Sequence, residues 1–548
     1  MAPQPASRPL GELLTHRQKM VLLTTLMLSM FVGALDQTIM STATPSIIAD
    51  LGGFSLLSWL FTSYMLASTV VVPLVGKLSD MFGRRVFLLG GLVIFMTSSA
   101  ACGAAPSMIA LILFRAVQGI GGGLIFASVF STVGDLFPPA ERGKYMGFFT
   151  GTFSLASILG PTIGGLLTDH AGWRWVFFIN VPFGLVAIPL IWRNLPHTAA
   201  SMSRKIDFAG SVLLSVATVS LLLGLVWAEE EYGWGSAQTV GLLACAAVFA
   251  VLFVVQENRH PEPIIPLVLF KNRTFLLANL VVFALGGGIF GTMAYLPVFV
   301  QTSLGGSATT SGLITTPQSL GILTTSIIGG QVISRTGRYR WLTVAGACFI
   351  LAATLLQTTL GAGSPKWHIS VFMVVMGLGF GMVMPTMSVV IQNAVSHQYL
   401  GVATSSRQFF MQIGQVLGTA IFGVILATTY HSSFSAELSP EAHANIPPAT
   451  LQSFDDPTMS LDKRTFERVK QQVRAVPGGE ALLENALDAQ RVAVADGIHR
   501  LFLISVAIAV FGLAMTVLSR ELPLRRGFGP AAEGGQPGQP VHVPIDAH

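Results

Sequence analysis

Apolar residues run along this chain in blocks of about twenty, the length a helix needs to cross a hydrocarbon core. The blocks recur from Lys19 almost to the C-terminus, with short polar breaks between them. They predict helices near 20–42, 57–75, 87–104, 109–131, 146–168, 175–192, 208–227, 237–255, 275–300, 311–333, 341–360, 369–392, 405–428 and 498–519. The expectation is an all-α integral membrane protein of fourteen transmembrane helices. One break is long, 429–497, with Pro447, Pro448 and Pro457 and two polar, helix-prone stretches around 464–475 and 479–495; it reads as a small appendage on the outer side. The first apolar run follows Arg17 and Lys19, is too long for a signal sequence and lacks a small-residue cleavage site, so it is expected to stay as the first helix, after a cytoplasmic segment 1–19. The Gly/Pro-rich end of 520–548 is expected to be a disordered cytoplasmic tail.

Composition agrees with that pattern. The 548 residues are 52% hydrophobic and 10% charged, against roughly a quarter charged in a soluble domain, and mean hydropathy is +0.66. A net charge of +5 would suggest a nucleic-acid partner in a soluble protein. Here the Lys and Arg residues lie in alternate short loops, including Lys77, Arg84, Arg85, Arg142, Lys144, Arg193, Arg204, Lys205, Arg259, Lys271, Arg273, Arg335, Arg338 and Arg340, whereas the short loops on the other side hold only Arg174 and Lys366. The positive-inside rule then puts both termini in the cytoplasm and calls for no nucleic acid. Cys102, Cys245 and Cys348 each fall inside an apolar run with no CxxC pair, so neither a disulfide framework, a metal site nor a cofactor is expected.

The chain repeats itself. Gly76-Lys-Leu-Ser-Asp80-Met-Phe-Gly83-Arg84-Arg85 aligns without gaps with Gly330-Gln-Val-Ile-Ser334-Arg-Thr-Gly337-Arg338-Tyr339; further on, Arg142-Gly143 and Leu159-Gly160-Pro161 with Gly165 echo Leu400-Gly401 and Leu417-Gly418-Thr419 with Gly423. Two related six-helix bundles are implied, 20–192 and 275–519, with helices at 208–255 inserted between them. Two halves that rock about a midplane site are how many secondary transporters work.

These segments resemble the major facilitator superfamily. Gly76 to Val86 looks like its signature loop between helices 2 and 3. Leu35-Asp36-Gln37-Thr38-Ile39, Arg115-Ala-Val-Gln118-Gly119, Gly160-Pro161-Thr-Ile-Gly164-Gly165, Trp173 to Pro182, and the linker around Leu269-Phe270-Lys271 resemble motifs of its fourteen-spanner drug:proton antiporter branch. The resemblance implies the superfamily's two-bundle fold and proton-coupled export of hydrophobic or cationic amphiphilic compounds, which is multidrug efflux. The export direction rests on the resemblance alone.

Elementary chemistry gives several of these residues a reason. An ionised acid alone in an apolar helix costs several kcal/mol, so Asp36 is the candidate proton carrier, loaded and released as its exposure changes between states; the alternative is a satisfied structural carboxylate. Arg115 is a second buried charge with Gln118 one turn on, and its candidate partners are Asp36 or backbone carbonyls of the first helix. In the loop, Gly76 and Gly83 permit a tight turn. Asp80 can sit on a helix N-terminus near Thr404 and Ser405, while Arg84 or Arg85 meets Asp135 or Glu141. That set reads as a latch closing the inner face. Gly160, Pro161, Gly164 and Gly165 give helix 5 a bend and a small-residue face for close helix contact. Gln37, Thr38, Tyr64, Gln118, Phe149, Phe153, Tyr295, Gln392, Arg407 and Met411 are candidates to line a roomy substrate cavity, with Arg407 equally placed to snorkel.

No phosphate loop, HExxH or GxSxG motif occurs, which argues against an ATP-driven pump or an enzyme. Alternatives within reach are an exporter of an endogenous lipid or secondary metabolite, a proton-coupled importer, or a sensor without transport. The expected partners are a small-molecule substrate, protons and membrane lipids, with a monomer in a bacterial inner membrane as the working unit.

Overall fold

A computed structural model of the chain describes residues 10–52, 56–196, 206–306, 308–454, 456–457, 459 and 463–524. Arg204, Lys205 and the tail beyond 524 lie outside the described residues. Among those described there is no strand. The long helices are α1 His16–Leu51, α2 Leu57–Phe82, α3 Arg84–Gly103, α4 Met108–Leu136, α5 Pro139–His170, α6 Trp175–Asn194, α7 Phe208–Glu230, α8 Ala237–Arg259, α9 Arg273–Val298, α10 Ala308–Thr336, α11 Arg340–Gln357, α12 Lys366–Asn393, α13 Leu400–Glu437 and α14 Gly479–Leu518.

Local chemistry sets their ends. Thr15 and Gln18 form a reciprocal capping box at the start of α1. Asp207, Ser236 and Asn272 accept the first free N–H groups of α7, α8 and α9. Gly83 separates α2 from α3 at φ 93°, and Gly337 holds the matching turn of the second half at φ 70°, backbone angles that a side chain makes costly.

Thirteen of these helices are apolar and long enough to cross a membrane. The fourteenth, α10, is less apolar because it carries a run of hydroxyl residues. Several of those hydroxyls fold back onto their own helix, among them Thr316 onto Gly312 O (2.9 Å) and Thr325 onto Gly321 O (2.8 Å), which satisfies those donors. α10 packs between α5 and α12. Within the first half α1 packs on α5 and α4 on α2 and α3; within the second, α10 and α11 pack on α12, and α9 and α14 on α13. The halves meet where α5 lies on α10 and α2 lies on α13. The hairpin α7–α8 stands outside and leans by α7 on α2 and α13.

The repeat is visible as a two-fold exchange of contacts. A Cβ on Gly76 of α2 would stand 2.8 Å from the Gly401 carbonyl of α13, and one on Gly330 of α10 would meet the Gly143 carbonyl of α5. Gly76 aligns with Gly330 and Gly143 with Gly401, so each half offers the same two glycines to the other.

The loop ends converge on one basic face. Arg84 reaches Asp135, Asp80 reaches Gly401, Asn272 donates to Ala394 O, Glu521 accepts from Tyr339 N, and Lys77 pairs with Glu262. Those contacts gather the turns after α2, α4, α8, α10, α12 and α14 on the same side. On the far face Asp50 pairs with Arg174 at 2.6 Å. The second polar stretch of the long far-face connection is no separate element: it is the first part of α14, which runs unbroken through Gly497. A helix Lys463–Arg474 and two short helical turns pack there on the extended ends of α13 and α14, around stacked Tyr430, Phe434 and Phe454.

Candidate functional site

Asp36 lies near the middle of α1 and is 1% exposed. Two helices that are distant in sequence bring it three donors. Arg115 Nη1 of α4 stands 2.5 Å from Oδ2, while Gln118 Nε2 (2.9 Å) and Asn180 Nδ2 of α6 (2.8 Å) donate to Oδ1. Arg115 is equally buried and completes its own set on the Leu60 carbonyl (3.3 Å) and the Gln118 carbonyl oxygen (2.9 Å), with the Tyr64 ring 4.6 Å beneath the guanidinium. Asn180 also donates to Ser99 of α3 (3.0 Å). Five helices, α1, α2, α3, α4 and α6, are therefore tied at one ion pair inside the first half. Such a pair adds little net stability, but removing one partner strands the other charge, a cost of about 3–5 kcal/mol.

A second cluster joins the halves at the basic face. Asp80, near the end of α2, accepts the first backbone N–H groups of α13, from Gly401 and Val402, both at 3.1 Å. A carboxylate on a helix N-terminus meets free donors and the positive end of the helix dipole. Arg84 bonds Asp80, Ser79 Oγ (2.5 Å) and Asp135 Oδ2 (2.8 Å). Gly401 is required by this geometry, since a Cβ there would stand 2.5 Å from Asp80 Oδ1 and from the Gly76 carbonyl. The second half has no equivalent: Ser334 stands where Asp80 does in the first. The expected latch differs from this arrangement in three ways. The helix starts at Leu400, ahead of Thr404; Arg85 stacks on Trp192 at 4.5 Å; and Glu141 is exposed on the first turn of α5. Arg85 and Glu141 are outside the cluster.

The remaining candidates separate. Gly160 and Gly164 take α1 in close contact, at Thr38 and Thr42 with Ile39, and Thr38 bonds Ala156 O (3.2 Å). Gly165 faces open space and Pro161 is exposed, so neither makes that contact. The expected roomy cavity is not what the substrate candidates line. Tyr64 and Gln118 belong to the Asp36 cluster, and Gln37 is half-buried beside it. Phe149 is fully buried on Phe130 (centroids 6.0 Å). Gln392 donates across the halves to Phe130 O (3.2 Å), whereas Tyr295 donates within the second half to Thr419 O (3.1 Å). Phe153 and Met411 pack at the edges of apolar clusters. Arg407 is 5% exposed and does not snorkel. A cavity of about 200 Å³ opens elsewhere, between α2, α7 and α13, at Thr62, Met65, Leu66, Leu225, Gln415 and Thr419. Asp36 is sealed from any cationic ligand in this arrangement. Sequence reasoning missed Asn180, Ser99 and Gly401 as parts of the two clusters; the signal for Asn180 was a lone amide at the head of an apolar run.

Residues 26–419 match the profile of the Major Facilitator Superfamily. The chain belongs to that superfamily. It is 37% identical over 513 residues to the multidrug transporter protein MdtP of Bacillus subtilis, covering 92% of this chain and 94% of the relative. It is also 37% identical over 414 residues to multidrug resistance protein 3 of the same organism, covering 76% and 81%. Among solved structures, the human organic anion transporter MFSD10 superposes with a TM-score of 0.57 at 16% identity over 90% of this chain and 99% of that one, and the proton:xylose symporter XylE with 0.54 at 15% over 90% and 95%. At such identity these two speak for the superfamily fold alone. The chain is thus a multi-pass membrane transporter of the major facilitator fold, and its homology is to transporters rather than enzymes.

Proposed function

We propose that this transporter exports hydrophobic amphiphiles in exchange for protons, by alternating access, from a bacterial cytoplasm into which the basic face and both termini point. The observation that carries the reading is the buried Asp36–Arg115 pair, a titratable carboxylate tying five helices of one half together. Protonating Asp36 would remove the counter-charge of Arg115 inside the bundle, a change large enough to rearrange the half that holds it. The Asp80 latch supports the alternating part of the scheme: it fastens α2 to α13 on the basic face, so this conformation is closed to the cytoplasm. Kinship with two multidrug transporters supports export of varied apolar compounds. In the cycle, a proton from the far side reaches Asp36, the latch opens, cargo enters from the cytoplasm, and proton release resets the pair.

The test is purified protein in liposomes with an imposed pH gradient and a pH dye inside, challenged with dyes, antibiotics and lipids. Substrate-triggered proton movement is expected in the wild type and is expected to vanish in folded Asp36→Asn. Proton movement of equal size in that variant would overturn the assignment of Asp36.

A further inference from the structure

Five Lys and Arg side chains are buried among the described residues: Lys77, Arg84, Arg115, Arg142 and Arg407. Four are matched. Lys77 pairs with Glu262, Arg84 with Asp80 and Asp135, Arg115 with Asp36, and Arg142 donates to the carbonyls of Gly134 and Phe137. Arg407 is the exception. Its Nε is buried without a hydrogen-bond partner, and no carboxylate of the described residues lies within ion-pair distance of it. The Phe130 ring of the opposite half lies 5.1 Å from the guanidinium. A buried cation without a counter-charge costs several kcal/mol, far more than one aromatic face returns.

The surroundings suit a ligand with one charge and an apolar body. Phe130 and Phe149 pack against each other with their ring planes tilted by 54°. Gln392, bonded to Phe130 O and to Thr404 Oγ1 (3.1 Å), places its amide beside them. Arg407 sits seven residues past Leu400, about 10 Å along α13 from its basic-face end, between the halves and beyond the Asp80 latch. When the latch opens, cargo coming from the basic face meets this guanidinium.

We infer that Arg407 is an anion subsite, and that the cargo of this transporter is an acidic amphiphile: a carboxylate, held by the planar fork of Arg407, on an aromatic or aliphatic body that packs against Phe130 and Phe149. This replaces the cationic class that the sequence suggested, and it rests on the export reading only in calling the ligand cargo. Binding alone tests it. Wild-type protein in lipid nanodiscs, without any gradient, is titrated with radiolabelled 2-naphthoate, with 2-naphthamide and (2-naphthyl)trimethylammonium as competitors of the same shape. The anion is expected to bind at least tenfold more tightly than either competitor; Arg407→Gln abolishes that preference and Arg407→Lys keeps part of it. Equal binding of the three compounds, no binding of the anion, or a preference that survives in folded Arg407→Gln overturns the inference. The two readings fail separately: an anion preference without proton-linked transport would remove the antiport scheme and leave the subsite, whereas proton-linked transport of dyes that ignores Arg407 would do the reverse.

Discussion

Replacing Asp80 with Asn isolates what the latch is worth. Asp80 and Arg84 belong to the same half and stay together on either side of an opening, so their mutual attraction and much of their desolvation are common to both states. The contacts broken by opening are the two backbone N–H groups of Gly401 and Val402, each 3.1 Å from the carboxylate. Bonds to an ionised acceptor are about twice as strong as neutral ones, a difference of about 1 kcal/mol each. The amide keeps the shape and loses the charge, so closure weakens by about 2 kcal/mol, which is about thirtyfold in the closed-to-open ratio. Ser405, 1% exposed on α13 against Gly76, reports the opening. With Cys245 and Cys348 replaced by Ala, the thiol introduced by Ser405→Cys should react with an impermeant maleimide at a rate set by the open fraction, and Asp80→Asn should raise that rate about thirtyfold. Asp135→Asn, which touches Arg84 in its own half and across the seam only His397, by one 3.5 Å contact, should raise it less. A rate within threefold of the parent in folded Asp80→Asn, or equal effects of the two substitutions, would refute the reasoning.

Two further outcomes follow from distances already given. Gly401→Val puts carbon where Asp80, Arg84 and the Gly76 carbonyl meet, so the introduced thiol should label at its maximal rate and transport should cease; retained transport in vesicles counts against the latch. Asn180→Leu removes one donor from Asp36 and leaves a buried acceptor short by about 1–3 kcal/mol, which should lower the thermal midpoint in a fluorescence melt; an unchanged midpoint would mean that Asn180 bears no part of the cluster.

Much of the fold was legible because the bilayer demands it. Apolar runs of spanning length mark each helix, and Gly76 and Gly330 with their matched loops mark the repeat. Helix ends were less legible, since α1 and α14 continue as helix past the apolar stretch into polar residues that no hydropathy window counts. Of the Asp36 cluster, Asp36 and Arg115 announced themselves as charges in apolar helices. Asn180 did not, because its importance comes from a neighbour 144 residues away. Arg407 was undecidable between snorkelling and the seam, since that depends on the rotation of α13 about its axis, which packing on α9 and α2 fixes. As a lone acid in a sequence Asp36 looks available to a cation, and only packing shows that Arg115, Gln118 and Asn180 occupy it in this conformation.

The Asp36 cluster and the latch must communicate if proton entry is to open the basic face, and magnitudes decide how. Along α2 the distance from Tyr64 to Asp80 is about 24 Å, and along α4 from Arg115 to Asp135 about 30 Å. At an effective dielectric of about 20, a unit charge acts on another over 25 Å with about 0.7 kcal/mol before any screening, a third of the strength worked out for the latch. A field alone would therefore tilt the equilibrium weakly. Two helices do run the whole way: α2 supplies Leu60 and Tyr64 to one cluster and Asp80 to the other, and α4 supplies Arg115 and Gln118 to one and Asp135 to the other. If Asp36→Asn, the charge state of a protonated Asp36, frees Arg115 and lets these helices shift, its effect on labelling in the Ser405→Cys background should depend on whether the latch is intact. A double-mutant cycle of Asp36→Asn with Asp80→Asn should then show a coupling above about 1 kcal/mol, beyond the few tenths expected of independent distant sites. Additive effects would leave the field as the sole connection, too weak to drive the opening, and would oblige proton entry to act through another residue.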